Sequence, residues 1–227
     1  NWRGGLFVSY NATSLSTNNS GGNIYDTRFG LYGGYNSGVN EGFFYIDGGK
    51  ARNKLNRSIS MLGLSTEAKY NSNIFEIGGE YKRNLTPEKS VAISPFINLQ
   101  YSHLKQHAYN ETGAGIYNMN VKSKSNGYFA GTVGLEFKRV LSHGNYAARI
   151  GVKHAFTGAD PELSFNYEGD NNNFYTLKNN QDKTHFVLSI GGENEFKGGW
   201  ILGGDIGWQK GGHDKDLSAS VMLRKVW

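Results

Sequence analysis

Residues 200–210 read WILGGDIGWQK, and apolar residues alternate there with polar or small ones. The apolar positions are Trp200, Leu202, Ile206 and Trp208. Because successive side chains of a β-strand point to opposite faces, this alternation predicts a strand with one apolar and one polar face. Tryptophans at both ends of the apolar face are typical of strands that cross a membrane, where aromatic rings settle at the two headgroup levels.

The same alternation recurs along the whole chain. It is found near residues 2–10, 26–35, 44–47, 75–82, 89–104, 129–138, 146–156, 186–193 and 217–227. Most of these segments span roughly 10–17 residues, whereas strands of globular proteins usually have about 5–6 and membrane-crossing strands need about 9–11. The pattern therefore predicts an all-β fold, a transmembrane antiparallel up-and-down β-barrel of about ten strands that closes on itself.

The composition agrees with this prediction. The chain has 227 residues, with 32 Gly, 14% aromatic residues and no Cys, and its mean hydropathy is −0.54. The lack of Cys excludes a disulfide scaffold and a Cys-ligated metal site. No apolar run approaches the ~18 residues of a membrane helix. A β-barrel can be this long as one unit, so residues 1–227 are predicted to form a single domain.

The connections alternate between short and long. Short ones fall at 37–39, 85–89, 141–145 and 198–199, and longer polar ones at 14–23, 55–73, 105–123 and 158–183. This asymmetry predicts short periplasmic turns and long outer loops, although the outer connection at 211–215 is short. Segments 55–73 and 105–123 have a second interpretation, as continuations of their neighbouring strands in long hairpins above the membrane.

The polar faces carry charges of both signs. The residues predicted to line the lumen are Arg28, Glu76, Glu80, Glu136, Lys138, Arg149, Lys153, Glu193, Asp205 and Arg224. One interpretation is a hydrated passage that lets an unfolded polar chain through without strong binding. The other is that the charges simply pair and fill a polar interior.

Several strand patterns resemble a known family over residues 74–227. They are the glycine-containing segment 76–81, Thr86-Pro87, the segment 93–101 around Pro95, and segments 131–135 and 154–158, followed by a terminal strand that ends in an aromatic residue. In order and spacing they resemble the C-terminal translocator domain of autotransporters, the type V secretion systems. The family barrel has twelve strands, so the resemblance implies that two strands, a pore helix and a passenger would precede this chain.

The resemblance implies a function and a location. The expected protein is a monomeric barrel in the outer membrane of a Gram-negative bacterium, which exports an N-terminal passenger and anchors it at the cell surface without a cofactor. The terminal strand resembles the signal read by the barrel assembly machinery, with Leu217, Val221, Leu223 and Trp227 as its residues. It departs from the family at Lys225, where an aromatic residue is usual.

Two alternatives remain at this stage, a passive porin or adhesin-like barrel and, with less support, a barrel hydrolase. A hydrolase would need converging catalytic groups, and His213-Asp214 is the one adjacent pair of that type in an outer turn. His103, His107 and His154 have no evident partner, and Asp170–Asn173 offers one acid for a cation. We therefore predict no enzyme activity, no catalytic residue and no metal site.

The net positive charge of the chain helps to predict its binding partners. The net charge is +5 and the isoelectric point about 9.2, but Lys and Arg are scattered and form no stripe with stacking residues. This disfavours nucleic acid. Membrane lipid and lipopolysaccharide are the expected partners, with Lys50, Arg52, Lys54 and Arg57 of one outer hairpin as candidates, although a solvated loop would have the same composition.

Overall fold

The computed structural model describes residues 1–225, and one antiparallel sheet of ten strands dominates it. The described residues form fourteen strands: β1 (Trp2–Ser16), β2 (Ser20–Asn36), β3 (Asn40–Ile59), β4 (Leu64–Arg83), β5 (Val91–Gln106), β6 (Tyr109–Asn110), β7 (Met119–Val121), β8 (Lys124–Leu141), β9 (Gly144–Thr157), β10 (Glu162–Tyr167), β11 (Asp170–Lys178), β12 (Thr184–Phe196), β13 (Trp200–Lys210) and β14 (Lys215–Lys225). The large sheet has the order β1-β2-β3-β4-β5-β8-β9-β12-β13-β14. Within the described residues, no helix is both long and apolar enough to cross a membrane.

The two faces of the large sheet have opposite character. Val8 and Val221 on the outer face are 72% and 84% exposed, whereas Asp47 and Glu136 on the other face are 6% and 3% exposed. This is the reverse of a water-soluble protein, in which apolar residues are buried. A lipid environment removes the conflict, because it solvates the apolar outer face. The alternation read from the sequence thus separates the faces as predicted.

The sheet is strongly curled toward its polar face. Arg149 on β9 contacts Glu80 on β4 at 3.0 Å, although β5 and β8 lie between these strands. Neighbouring strands are about 4.8 Å apart, so the two backbones would be about 14 Å apart in a flat sheet. Curvature brings the strands together over the concave side, and the result is a half-barrel with a polar interior.

The sheet is open, which corrects the expectation that ten strands close on themselves. In residues 1–225, β1 pairs only with β2, and β14 pairs only with β13. The two edge strands therefore present unpaired backbone groups along one side each. The prediction of a closed barrel rests on the absence of water in lipid, where an unpaired strand edge is unfavourable. The number of strands alone does not determine the curvature of the sheet, and here the curvature does not bring β1 and β14 together.

The longer connections hold more structure than predicted. Segment 55–73 forms the end of the β3–β4 hairpin, as in the second interpretation, and around 17–19 only a tight turn separates β1 from β2. Segments 105–123 and 158–183 contribute a separate four-stranded sheet, with the order β11-β10-β7-β6. One face of this small sheet is apolar, since Phe165 and Val121 pair there and are 5% and 2% exposed. Strands β6 and β7 have only two and three residues, too few to show an alternation in the sequence.

The small sheet packs against the concave side of the β3–β4 hairpin. The rings of Tyr70 on β4 and Tyr109 on β6 stack with centroids 4.2 Å apart. The guanidinium of Arg57 binds the carboxylate of Glu111 at 2.5 and 3.1 Å. Both contacts come from side chains on the concave face of the hairpin, so the small sheet covers part of the outer end of the half-barrel.

At Gly134, on the concave face of the sheet, the neighbouring strands approach so closely that there is no room for a side chain. A Cβ atom at Gly134 on β8 would lie 2.8 Å from Gly151 Cα and 2.9 Å from the Phe96 ring, and it would also meet the Ile150 carbonyl. The Gly134→Ala variant is expected to lose about 1–3 kcal/mol of unfolding free energy, because overpacking displaces backbone. Urea titration of the purified barrel measures this loss.

Gly42→Ala on β3 is the matched control, because nothing lies within 4 Å of a Cβ there. Its urea midpoint should stay close to that of the wild type. Equal midpoints for both variants would contradict the close approach at Gly134.

Candidate functional site

The concave face of the half-barrel carries a connected set of charges, and one cluster centres on Arg28 of β2. Its Nη1 donates to Glu76 of β4 at 2.5 Å, across β3. Asp26 and Asp47 lie 3.3 and 3.7 Å from the same guanidinium. One arginine thus faces three carboxylates from three strands. This cluster fastens β2, β3 and β4 along their inner side.

A second cluster centres on Arg149 of β9. Its guanidinium binds both oxygens of Glu80 at 3.0 Å, and its Nε donates to Glu136 at 2.7 Å. Glu136 also accepts from Lys82 at 2.8 Å, and Lys82 lies 3.1 Å from Glu41. Cations and carboxylates therefore alternate from β3 to β9. Paired and hydrogen-bonded charges of this kind are the arrangement that a partly buried charge requires.

The remaining predicted lumen residues lie on the same face but are less connected. Arg224 contacts Glu193 at 3.3 Å, and Asp205 accepts a hydrogen bond from the Ser220 hydroxyl. The Lys153 ammonium lies 5.5 Å from the centre of the Tyr128 ring.

Lys138 lies beside a cavity of about 400 Å³ that Glu136 and Asp205 also line. Among residues 1–225 it has no ion-pair partner. The cavity shows that side chains do not fill the concave wall.

Two members of this wall, Glu41 and Phe96, show why the sequence did not reveal all of it. Glu41 lies at the start of β3, too close to a predicted turn to be assigned to a face. Phe96 is apolar, but it points inward beneath the Arg149 guanidinium, 5.2 Å from it. Counting in steps of two from Ser94 or Asn98 would have placed Phe96 inside.

Aromatic rings also line the concave side near the periplasmic end. Successive ring centroids lie 6.4 Å apart for Phe7 and Tyr32, 6.3 Å for Tyr32 and Phe43, and 6.2 Å for Phe43 and Tyr45. A cavity of about 570 Å³ lies beside them, with Lys82 in its lining. The wall therefore combines compensated charges with an aromatic row.

The terminal strand β14 forms one open edge of the half-barrel. Leu217, Val221 and Leu223 project from its outer face and are 73%, 84% and 65% exposed. Trp227 lies outside the described residues. The described part of the proposed assembly signal is therefore an apolar, accessible stripe beside an open backbone edge.

The adjacent pair His213-Asp214 does not form a dyad of its own. His213 Nδ1 contacts Asp182 at 3.3 Å, and Asp214 contacts His185 Nε2 at 2.7 Å. The His213 side chain is 96% exposed. These contacts join the connection before β12 and the start of β12 to the β13–β14 turn. In the described part of the chain, no three His, Asp or Glu side chains are grouped as a metal ion would require.

The contacts with His213 and Asp214 lower the pKa of the Asp182 carboxyl group. Its carboxylate accepts from the backbone N–H of His213 at 2.5 Å, and also from the His213 ring and the Asp214 N–H, which lowers its pKa from 3.8 to about 2. Its stabilising contribution is therefore complete above about pH 4 and disappears as the pH falls toward 2.

Asp182→Ala should accordingly unfold at lower urea than the wild type at pH 6, and the two midpoints should converge by about pH 2. Urea titrations at a series of pH values measure this. Asp160→Ala removes an exposed carboxylate of the same connection and serves as the control. A difference between Asp182→Ala and the wild type that is constant over this pH range would refute the assigned cause.

Arg149 holds two carboxylates that would otherwise face each other. Arg149→Gln is expected to lower the unfolding free energy by about 1–3 kcal/mol, less than a fully buried pair would lose, because its side chain is 32% exposed. Adding Glu80→Gln should recover part of this loss, since one unpaired carboxylate is then removed. Urea titration of the four proteins yields the coupling energy, and strictly additive losses would exclude the interaction.

Comparisons with known proteins agree with this geometry. The family model of the autotransporter beta-domain matches residues 1–207. Among solved structures, the translocator domain of the autotransporter NalP from Neisseria meningitidis superimposes with a TM-score of 0.79 at 18% identity, covering 98% of this chain and 74% of that one. At that identity the match establishes the fold.

The transport unit of the autotransporter AIDA-I from Escherichia coli aligns with a TM-score of 0.45 at 12% identity, over 100% of this chain and 90% of that one. No protein of the curated set matches the chain. The family model covers most of the chain, so the alternative of a passive porin or adhesin-like barrel is not favoured. The chain belongs to the autotransporter beta-domain family and is an outer-membrane barrel domain for passenger export in a Gram-negative bacterium.

Proposed function

We propose that the concave wall forms the path along which the passenger crosses the outer membrane. Its proposed lining is the predicted set Arg28, Glu76, Glu80, Glu136, Lys138, Arg149, Lys153, Glu193, Asp205 and Arg224. The observation that supports this most is the pairing of inward cations with carboxylates from β2 to β9. Most charges of this wall are compensated, so it offers hydrogen bonds to an extended chain and few isolated charges that would retain it; Lys138 and Lys153 are the inward cations of β8 and β9 without an ion pair in residues 1–225.

The half-barrel needs completion before it can enclose such a path. Lipid does not tolerate unpaired backbone groups, and β1 and β14 each have one free edge within residues 1–225. We propose that further strands pair with these edges, and that residues 1–227 belong to a single barrel domain.

The direction of transport would come from folding of the passenger outside the cell, since compensated charges favour neither direction.

The terminal strand is proposed as the signal for barrel assembly, through Leu217, Val221, Leu223 and Trp227. An open edge can pair with the edge of another sheet by β-augmentation, and an exposed apolar stripe can enter a groove beside it. The barrel assembly machinery is the proposed partner, together with the linked passenger, membrane lipid and lipopolysaccharide. We propose a monomeric barrel with no nucleic-acid partner, cofactor or enzyme activity, since His213 and Asp214 are engaged in separate contacts.

Site-specific photocrosslinking in the full-length protein tests the path. Gln100 and Ser189 line a cavity of about 340 Å³ on the concave side, whereas Leu99 and Ile190 are outer-face neighbours that are 46% and 62% exposed. A photoreactive residue at Gln100 or Ser189 is expected to capture a passenger that is stalled by an introduced disulfide loop. The same residue at Leu99 or Ile190 should capture none.

Immunoblots for the passenger read out the adducts. Equal capture from both faces, or capture from the outer face alone, would overturn the proposed path. Passenger display at the cell surface, measured without the stall, confirms that each protein is assembled.

A further inference from the structure

Five cations share the outer face of three neighbouring strands at the outer end of the half-barrel. They are Lys50, Arg52 and Lys54 on β3, Lys69 on β4 and Lys105 on β5, and all five side chains are exposed. Their face follows from the alternation. Lys50, Arg52 and Lys54 are an even number of residues from Ile46, which lies on the apolar outer face, and Lys69 is likewise in step with Ile77.

The strand register places these cations close together. Lys54 lies directly opposite Lys69, and Lys50 and Lys105 both flank Asn73, one on each side of β4. Side chains opposite each other in an antiparallel pair have Cβ atoms about 4.5–5.5 Å apart. Residues two positions apart on one strand are about 7 Å apart, so Lys50 to Lys54 spans about 13 Å. Like charges directly opposite each other destabilise a sheet.

The patch is not compensated by the protein. Over residues 1–225, none of the five cations has an ion-pair partner, and the acid of the same face, Glu67, lies beyond Lys69 opposite Asn56. Arg57 of the same hairpin differs, because it points to the concave face and binds Glu111. The sequence-based candidate set is therefore corrected: Arg57 leaves it, and Lys69 and Lys105 join it.

An apolar lane begins directly below the cations on the same face. Phe44, Ile46, Phe75 and Ile77 form it, and they are 53%, 36%, 40% and 44% exposed. In register, Gly48 and Phe75 are opposite each other, one step below Lys50 and Asn73. A ligand that satisfies both surfaces needs negative charge at one end and hydrocarbon at the other.

We infer that this patch binds the phosphate groups of a phosphorylated glycolipid of the outer leaflet, with acyl chains along the apolar lane. The inference rests on the proposed membrane partners of the barrel and assigns one of them a site. Phosphates neutralise the facing pair Lys54 and Lys69, which explains why the sheet tolerates it. A span of about 13 Å accommodates more than one phosphate. The chemistry that recognises this ligand is charge complementarity beside a hydrocarbon surface.

Native mass spectrometry of the full-length protein in detergent tests the site. The probes are bisphosphorylated lipid A and the same lipid with its phosphates removed. The wild type is expected to retain the phosphorylated lipid at least tenfold more than the dephosphorylated one. Inorganic phosphate should not displace it, because free phosphate gains nothing from the apolar lane. Equal retention of the two lipids, or full displacement by inorganic phosphate, would overturn the inference without any variant.

The variant that removes the patch combines Lys50→Gln, Arg52→Gln, Lys54→Gln and Lys69→Gln, and it should lose at least tenfold in retained lipid. A matched control, Arg83→Gln, Lys89→Gln, Arg139→Gln and Lys197→Gln, removes four cations at the periplasmic end and should keep wild-type retention. A conservative variant, Lys50→Arg, Lys54→Arg and Lys69→Arg, should also bind. An equal loss in patch variant and control would refute the assignment.

Passenger display separates this inference from the proposed function. Normal display with lost lipid retention supports the site and leaves export intact. Wild-type retention by the patch variant refutes the site, whatever the display. Heat-modifiable migration on gels establishes that each variant is folded. If the patch variant does not fold, the comparison of phosphorylated and dephosphorylated lipid on the wild-type protein still tests the inference.

Discussion

Backbone N–H and C=O groups inside a lipid bilayer have no water to bind, so each must find a partner in the protein. In this chain the partners are neighbouring antiparallel strands, paired one after another from β1 to β14. Such a sheet separates two environments, and every strand must therefore alternate between them. The aromatic and aliphatic outer face and the charged inner face both follow from this one requirement.

The inner face shows how charges are accommodated beside lipid. Arg28 and Arg149 each gather carboxylates from several strands, so that the interior is polar without a large local excess of either sign. The same contacts draw β4 toward β9 and support the curl of the sheet. Shape and electrostatics are thus linked, because the curvature brings these charges together and the charges in turn hold the curvature. As far as residues 1–225 show, the outer basic patch has no such internal compensation, and this contrast supports the inferred external ligand.

Much of the fold could be predicted from single residues and their spacing. Trp200 and Trp208 mark both ends of one apolar face, and the spacing of Glu76, Glu136 and Arg149 predicts their place on the polar face. Phe96 could not be placed from its chemistry, since it is apolar but lies under a guanidinium on the inner side. The small sheet is also absent from the prediction. Strands β6 and β7 are too short to show an alternation, and that of Leu163, Phe165 and Tyr167 in β10 covers only six residues of a long connection.

Which side chains share a face can be read from the amino-acid order alone, because that property depends only on the two-residue repeat of the extended backbone. The amino-acid order also indicates where the periplasmic turns lie, since short polar breaks interrupt the repeat. The partners of these side chains come from the three-dimensional arrangement: Arg149 reaches Glu80, Arg57 binds Glu111, Lys54 faces Lys69, and within residues 1–225 β1 and β14 remain open edges. These facts depend on register and curvature, which arise from contacts between segments far apart in the chain and leave no periodic trace in either one.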